Sequence, residues 1–83
     1  MTISSEQCRG ARAMLNMNRA TLAAASGVSA RAIADFEADN RKPIRATMAA
    51  LQRALEDAGI EFTNGDQPGV RLAKKKIGAR RNP

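Results

Sequence analysis

The feature that most constrains this chain is a glycine between two short segments that both carry strong helix signals. Asn18 precedes a run of good helix formers that ends at Ser26, and Ser29 precedes a second run that ends at Glu37. Asn and Ser are favoured N-caps, because their side-chain oxygens accept a backbone N–H that the helix leaves unpaired. Gly27 lacks a Cβ and enters the left-handed conformation that ends a helix at little cost. The stretch is therefore predicted to form two helices joined by a tight turn.

Apolar and small residues in this stretch lie where the two helices would share a core. They are Leu22, Ala23, Val28, Ile33 and Phe36. Together with Gly27, their spacing resembles the helix-turn-helix of the lambda-repressor-like or Cro-like regulators, often called the XRE family. The resemblance covers about residues 4–59 and depends on several positions at once, since a Gly between two amphipathic helices also occurs in helical hairpins that have no DNA role. It implies a mainly α, four-helix lambda-repressor-like DNA-binding domain.

Two more helices are predicted on either side of the motif. Ser4 and Gln7 form a capping-box pattern, which predicts a first helix over about residues 5–15. Apolar residues recur at three- and four-residue steps over about residues 45–58, which predicts a fourth helix. The helix-turn-helix domain is therefore expected to occupy residues 1–59.

Arg12 interrupts the inward-facing stripe of the first helix and needs an acidic partner there. In the family that the sequence resembles, an Arg at this place pairs with the Glu that closes the second motif helix, which is Glu37 in this chain. The alternative is a surface Arg whose stem lies along the protein while its guanidinium reaches water. An Arg12–Glu37 pair would be structural and would take no part in chemistry.

After the fourth helix, the hydrophobic pattern changes to that of a strand. Ile60 and Phe62 alternate with polar residues, Val70 and Leu72 do the same, and the segment between them is rich in turn residues. This predicts a C-terminal β-hairpin over residues 60–72. Because an isolated two-stranded hairpin is marginal in water, these four residues need a surface to pack on. We expect either the hairpin of a second chain, which would make a homodimer, or the chain's own fourth helix.

The net charge of +6 is concentrated at the C-terminal end. Residues 1–70 hold eight basic and eight acidic side chains, so the whole excess comes from the residues that follow. Residues 73–83 contain five basic side chains, no acid and almost nothing apolar. That composition predicts a flexible, disordered tail. The tail is either a solubilising segment or an arm that follows DNA phosphates.

The resemblance implies two sets of DNA contacts, one that reads bases and one that holds phosphates. If the second motif helix enters the major groove by its N-terminal end, four exposed positions face the base edges. These positions are Ala30, Arg31, Ala34 and Asp35. Arg31 is the principal candidate, because a guanidinium can donate two hydrogen bonds to guanine O6 and N7. Asp35 would either accept from cytosine N4 or orient Arg31. The expected phosphate contacts are Asn18, Arg19, Ser29, Asn40, Arg41 and Lys42.

The content of His and Cys and the lack of long apolar segments limit which classes of function are expected. The chain has no His and one Cys, Cys8, so neither an internal disulfide, a metal site, a cofactor nor an enzyme is expected. With no signal peptide or long apolar run, the expectation is a cytoplasmic protein that makes no use of a membrane. The sequence favours a transcriptional regulator that binds a near-palindromic double-stranded DNA operator as a homodimer. The alternatives are an antitoxin or antirepressor whose main partner is a protein, and a helical interaction module without a DNA function.

Overall fold

The computed structural model describes residues 3–63 and 68–73, and within them four α-helices precede a two-stranded antiparallel sheet. The elements are α1 (Ser5–Leu15), α2 (Arg19–Ser26), α3 (Ala30–Glu37), α4 (Arg45–Asp57), β1 (Ile60–Thr63) and β2 (Gly69–Leu72). The prediction of a mainly helical chain with a small C-terminal sheet is confirmed. The predicted basic tail lies outside the described residues from position 74 onward.

Side-chain caps begin three of the helices. Ser4 Oγ accepts from the Gln7 backbone N–H at 3.0 Å, and Gln7 Oε1 accepts from the Ser4 backbone N–H at 2.9 Å, which completes the capping box of α1. The side chains of Asn18 and Ser29 each accept from the backbone N–H three residues later, at 2.8 and 3.1 Å. Gly27 ends α2 with a φ of 80°. These local signals therefore set the positions of α2 and α3 and the turn between them.

The helices and β1 enclose one hydrophobic core. Its buried members are Ile3, Cys8, Ala11, Leu22, Ile33, Phe36, Met48, Leu51, Ala54, Leu55 and Ile60. α2 packs against α3 and α4, and α1 packs against the same two helices. The helix-turn-helix is consequently supported from behind by both flanking helices.

The hairpin covers this core across two helices of its own chain. β2 packs against α1, and β1 packs against α4. Gln7 Nε2 donates to the carbonyl oxygens of Thr63, at 3.1 Å, and Gly69, at 3.0 Å, so one α1 side chain ties both strands. β2 lies close to α1 at Gly10, where a Cβ would be 3.4 Å from Val70 Cγ2. The hairpin thus packs on α1 as well as on the fourth helix.

Candidate nucleic-acid interface

α3 has one face in the core and the other at the surface. Ile33 and Phe36 are 0% and 6% exposed, whereas the side chain of Arg31 is 86% exposed. The four positions predicted to face base edges fall into two groups. Ala30 and Arg31 are exposed, and Ala34 and Asp35 are half-buried. The first turn of α3 is therefore its most accessible part, with Arg31 extending furthest into solvent.

Arg31 and Asp35 form an ion pair one helical turn apart. Arg31 Nε lies 3.6 Å from Asp35 Oδ2. This separation exceeds a normal hydrogen-bond length, so the guanidinium keeps its donors for another acceptor. The contact corresponds to the orienting role considered for Asp35, and its reading of cytosine stays a prediction.

The loop after α3 is held in place by backbone and side-chain bonds. The Asp35 carbonyl oxygen accepts from the backbone N–H groups of Asn40, at 2.9 Å, and Arg41, at 3.4 Å. Asp39 has a φ of 61°, and its Oδ1 accepts from Ser5 Oγ at 2.8 Å. The loop is therefore fixed to both α3 and α1, while Asn40 and the two basic residues after it remain exposed.

Arg41 and Lys42 border a groove of about 450 Å³ between this loop and the first turn of α1. Apolar side chains, including Phe36 and Met48, also line it. Glu6 and Asp39 share the rim. Arg41 and Lys42, two of the three predicted phosphate contacts in this loop, therefore have acidic neighbours as well as solvent around them.

Glu37 is the acceptor at which three helices meet. Its side chain is 1% exposed, and its Oε2 accepts from Arg12 Nε at 2.7 Å and from Cys8 Sγ at 3.2 Å. Its Oε1 accepts from Arg12 Nη2 at 2.6 Å and from Arg19 Nε at 3.2 Å. Arg9 Nη1 donates to the Glu37 backbone carbonyl. Glu37 thus joins the C-terminus of α3 to α1 and to the start of α2.

Contacts among Glu37, Arg12 and Cys8 shift the pKa values of all three side chains. Burial acts to raise the pKa of Glu37, but hydrogen bonds from Arg12 and Cys8 and the charge of Arg12 outweigh it and hold that pKa below its ordinary value of 4.5. The hydrogen bond to Glu37 raises the pKa of Arg12. Burial, followed by the hydrogen bond to Glu37, raises the pKa of the Cys8 thiol to about 12. At neutral pH the carboxyl is ionised and the thiol is a buried donor, not a nucleophile.

Arg19 has a structural contact in addition to its predicted role at phosphate. Its side chain is 49% exposed while its Nε reaches Glu37. Sequence reasoning missed this contact, and it also missed Arg9 and Cys8 as donors to Glu37. Arg9 precedes Arg12 by three residues and so shares its helix face, which was the available signal. Cys8 precedes Arg12 by four residues and shares that face too, whereas no comparable pattern in the sequence indicated the contact of Arg19.

The charged residues at the two ends of α4 have the opposite signs to those that the helix dipole favours. Arg45 opens it, no acid lies in its first turn, and Glu56 and Asp57 end it with no base in the last turn. The two ends are about 18 Å apart at 1.5 Å per residue. Its N-cap, Ile44, is 72% exposed and makes no capping bond. The first turns of α2 and α3 also lack acids, whereas α1 has Glu6 there. Three helix N-termini therefore suit an anionic partner.

No protein-family model matches this chain, and no curated protein matches it either. Among the side chains that the structure describes, no group of three or more His, Cys, Asp or Glu residues is placed to hold a metal ion. In the same part of the chain, no helix has both the length and the apolar composition that crossing a membrane requires.

Proposed function

We propose that the protein is a sequence-specific transcriptional regulator that binds a near-palindromic DNA operator as a homodimer through α2 and α3. The observation that carries the proposal is the asymmetry of α3. Ile33 and Phe36 anchor one face in the core, while Arg31 in the first turn has an 86% exposed side chain. A helix held from behind and exposed at its N-terminal turn suits entry into the major groove.

Arg31 is the proposed principal base reader. Its 3.6 Å contact with Asp35 orients the side chain and leaves donors for guanine O6 and N7. Such a paired contact contributes about 1–3 kcal/mol of discrimination between bases. Ala30 and Ala34 add only methyl contacts to thymine. Direct readout in each half-site is then sparse, and groove shape supplies part of the specificity.

The proposed phosphate contacts combine helix N-termini with exposed cations. The capping oxygens of Asn18 and Ser29 already accept from their own helices. The Asn18 amide and the Ser29 hydroxyl can still donate to a phosphate oxygen. Arg19, together with the loop residues Asn40, Arg41 and Lys42, supplies the remaining contacts. The absence of acids from the first turns of α2, α3 and α4 supports this assignment.

Selection from a random duplex library at moderate salt, followed by sequencing of the bound fragments, tests this function. Two motifs related by a two-fold axis read half-sites about one helical turn, or ~34 Å, apart. We therefore expect an inverted repeat with half-sites about ten base pairs apart. Recovery of no motif, with flat titrations on genomic fragments at low salt, would reject the proposal and favour a protein partner.

Three single substitutions separate base reading from phosphate binding. Arg31→Ala should relax base preference and weaken the best site by about 1–3 kcal/mol. Lys42→Ala should weaken all sequences alike and flatten the salt dependence by about one unit per half-site. Arg53→Ala removes the same charge from an exposed position outside the predicted contacts and should leave binding unchanged. Equal losses on specific and random DNA for Arg31→Ala would contradict its role.

A further inference from the structure

Asp39 occupies a backbone position that glycine usually takes. It follows the C-cap of α3, Ala38, and its φ of 61° lies in the left-handed region. Its N–H donates to the Phe36 carbonyl oxygen at 3.0 Å, and the next N–H along the chain donates to the Asp35 carbonyl oxygen at 2.9 Å. These two bonds form the Schellman motif, whose left-handed residue is usually Gly because a Cβ strains that conformation. Asp39 therefore carries a side chain where the backbone disfavours one.

The charge of Asp39 is also unfavourable for the proposed function. The next residues are Asn40, Arg41 and Lys42, which are exposed and are the proposed phosphate contacts of this loop. A carboxylate directly before them repels the phosphates that they would bind. Backbone strain and charge repulsion both disfavour an acid at this position, so we looked for a contact that offsets them.

The Asp39 carboxylate makes such a contact with α1. Its Oδ1 accepts a hydrogen bond from Ser5 Oγ at 2.8 Å, across a separation of 34 residues. Ser5 is 4% exposed and begins α1, whose capping bonds are made by Ser4 and Gln7. Glu6 Oε1 lies 3.4 Å from the same hydroxyl and is the poorer acceptor. The Ser5 hydroxyl is thus not needed for the cap and is directed at the loop.

The segment that follows Asp39 is consequently attached to two helices. On α3, the Asp35 carbonyl oxygen accepts from the Asn40 N–H at 2.9 Å, but from the Arg41 N–H only at 3.4 Å. On α1, the Ser5 hydroxyl holds the Asp39 side chain. One point of attachment lets a segment pivot, whereas two points on different helices fix the direction in which it runs.

We propose that Ser5 is a positioning residue for phosphate binding, because its bond to Asp39 fixes residues 40–42 in place. This inference rests on the proposed function and adds to it a residue that makes no DNA contact of its own. An ordered segment loses less conformational entropy on binding and so binds more tightly. The cations, and the number of phosphates that they contact, stay the same. Ser5 should therefore affect affinity without affecting salt dependence or base preference.

Ser5→Ala removes this bond and leaves every proposed DNA contact in place. Ala is a good helix former, and Ser4 and Gln7 keep the cap of α1, so the domain should fold. Titrations of duplex DNA should show a loss of about three- to tenfold in affinity, on specific and random sequences alike. The plot of log affinity against log salt should shift in parallel. Lys42→Ala is the comparison variant, because it removes a phosphate contact and should change the slope as well.

Two substitutions at position 39 test whether Ser5 acts through Asp39. Asp39→Asn keeps an oxygen that accepts from Ser5, tolerates the left-handed backbone and removes the repulsive charge, so DNA binding should not weaken. Asp39→Gly keeps the backbone conformation without a side chain. In the Asp39→Gly background, Ser5→Ala should cause no further loss of affinity. An equal loss from Ser5→Ala in both backgrounds would show that Ser5 acts elsewhere, which overturns the inference.

Backbone ¹⁵N relaxation without DNA measures the order of the loop independently of DNA binding. Order parameters of residues 40–42 should match those of α3 in the parental chain and fall below about 0.6 in Ser5→Ala. Unchanged values in Ser5→Ala would overturn the inference, and so would a mobile loop that binds DNA with parental affinity. A parental chain that binds no duplex rejects the DNA-binding proposal, and with it the role of Ser5 in phosphate binding, even where relaxation shows that Ser5 orders the loop.

Discussion

Replacing Glu37 by Gln tests whether one buried carboxylate holds three helices together. The side chain is 1% exposed, and both of its oxygens accept hydrogen bonds from Arg12. A Gln amide of the same shape would place an NH₂ group against these donors and leave Arg12 without its counter-charge. Removal of one partner from a buried ion pair costs about 3–5 kcal/mol. Because the Arg12 and Arg19 side chains are 16% and 49% exposed, water can partly replace the carboxylate. We therefore expect the lower end, about 3 kcal/mol.

That loss is large for a domain of 83 residues. Stability of about 0.05–0.15 kcal/mol per residue gives a total of roughly 4–12 kcal/mol. At about 4–8 °C per kcal/mol for a domain of this size, Glu37→Gln should lower Tm by roughly 12–24 °C. Urea and thermal unfolding followed by circular dichroism measure both quantities. Glu61→Gln, which removes the exposed partner of Arg71, is the control and should change little. A loss for Glu37→Gln no greater than for this control would refute the reasoning.

Three further predictions follow from the same contacts. Because the pKa of Glu37 is lower in the folded state, its stabilisation is present above about 4.5 and is lost as pH falls through the folded value. Urea titrations should show a shallower acid loss for Glu37→Gln than for the parental chain, and parallel curves would contradict this. Cys8 should resist iodoacetamide in the native protein and react once urea unfolds it; native labelling at the unfolded rate would show an accessible thiol. Gln7→Leu should speed amide exchange in the hairpin, through loss of the bonds to Thr63 and Gly69, and leave α2 and α3 unchanged; uniform acceleration would contradict a local role.

The helices could be predicted from the sequence because their end signals are local. Ser4, Asn18 and Ser29 each cap a helix through a backbone N–H three residues away. The left-handed Gly27 needs no distant partner either. The apolar spacing around these residues was enough to place Ile33 in the core.

The remaining contacts could not be predicted because they join residues far apart in the chain. Gln7 was recognised as half of a capping box, but its second pair of bonds reaches carbonyls 56 and 62 residues later. Those bonds depend on where the hairpin packs, which the strand pattern does not contain. The contacts of Cys8 and Arg19 with Glu37 likewise depend on how three helices cross. Base and phosphate contacts stay predictions, since they concern a molecule other than this chain.

The contacts of Glu37 limit how far α2 and α3 can fold as an independent unit. All but one of the hydrogen bonds to its carboxylate come from α1, through Arg12 and Cys8, and only Arg19 belongs to the helix-turn-helix itself. A peptide containing just α2 and α3 would keep the Glu37 carboxylate and lose the hydrogen bonds from Arg12 and Cys8 that stabilise it. Transferring the outer face of α3, with its proposed DNA contacts, to another protein would therefore require a host that already has such a buried support.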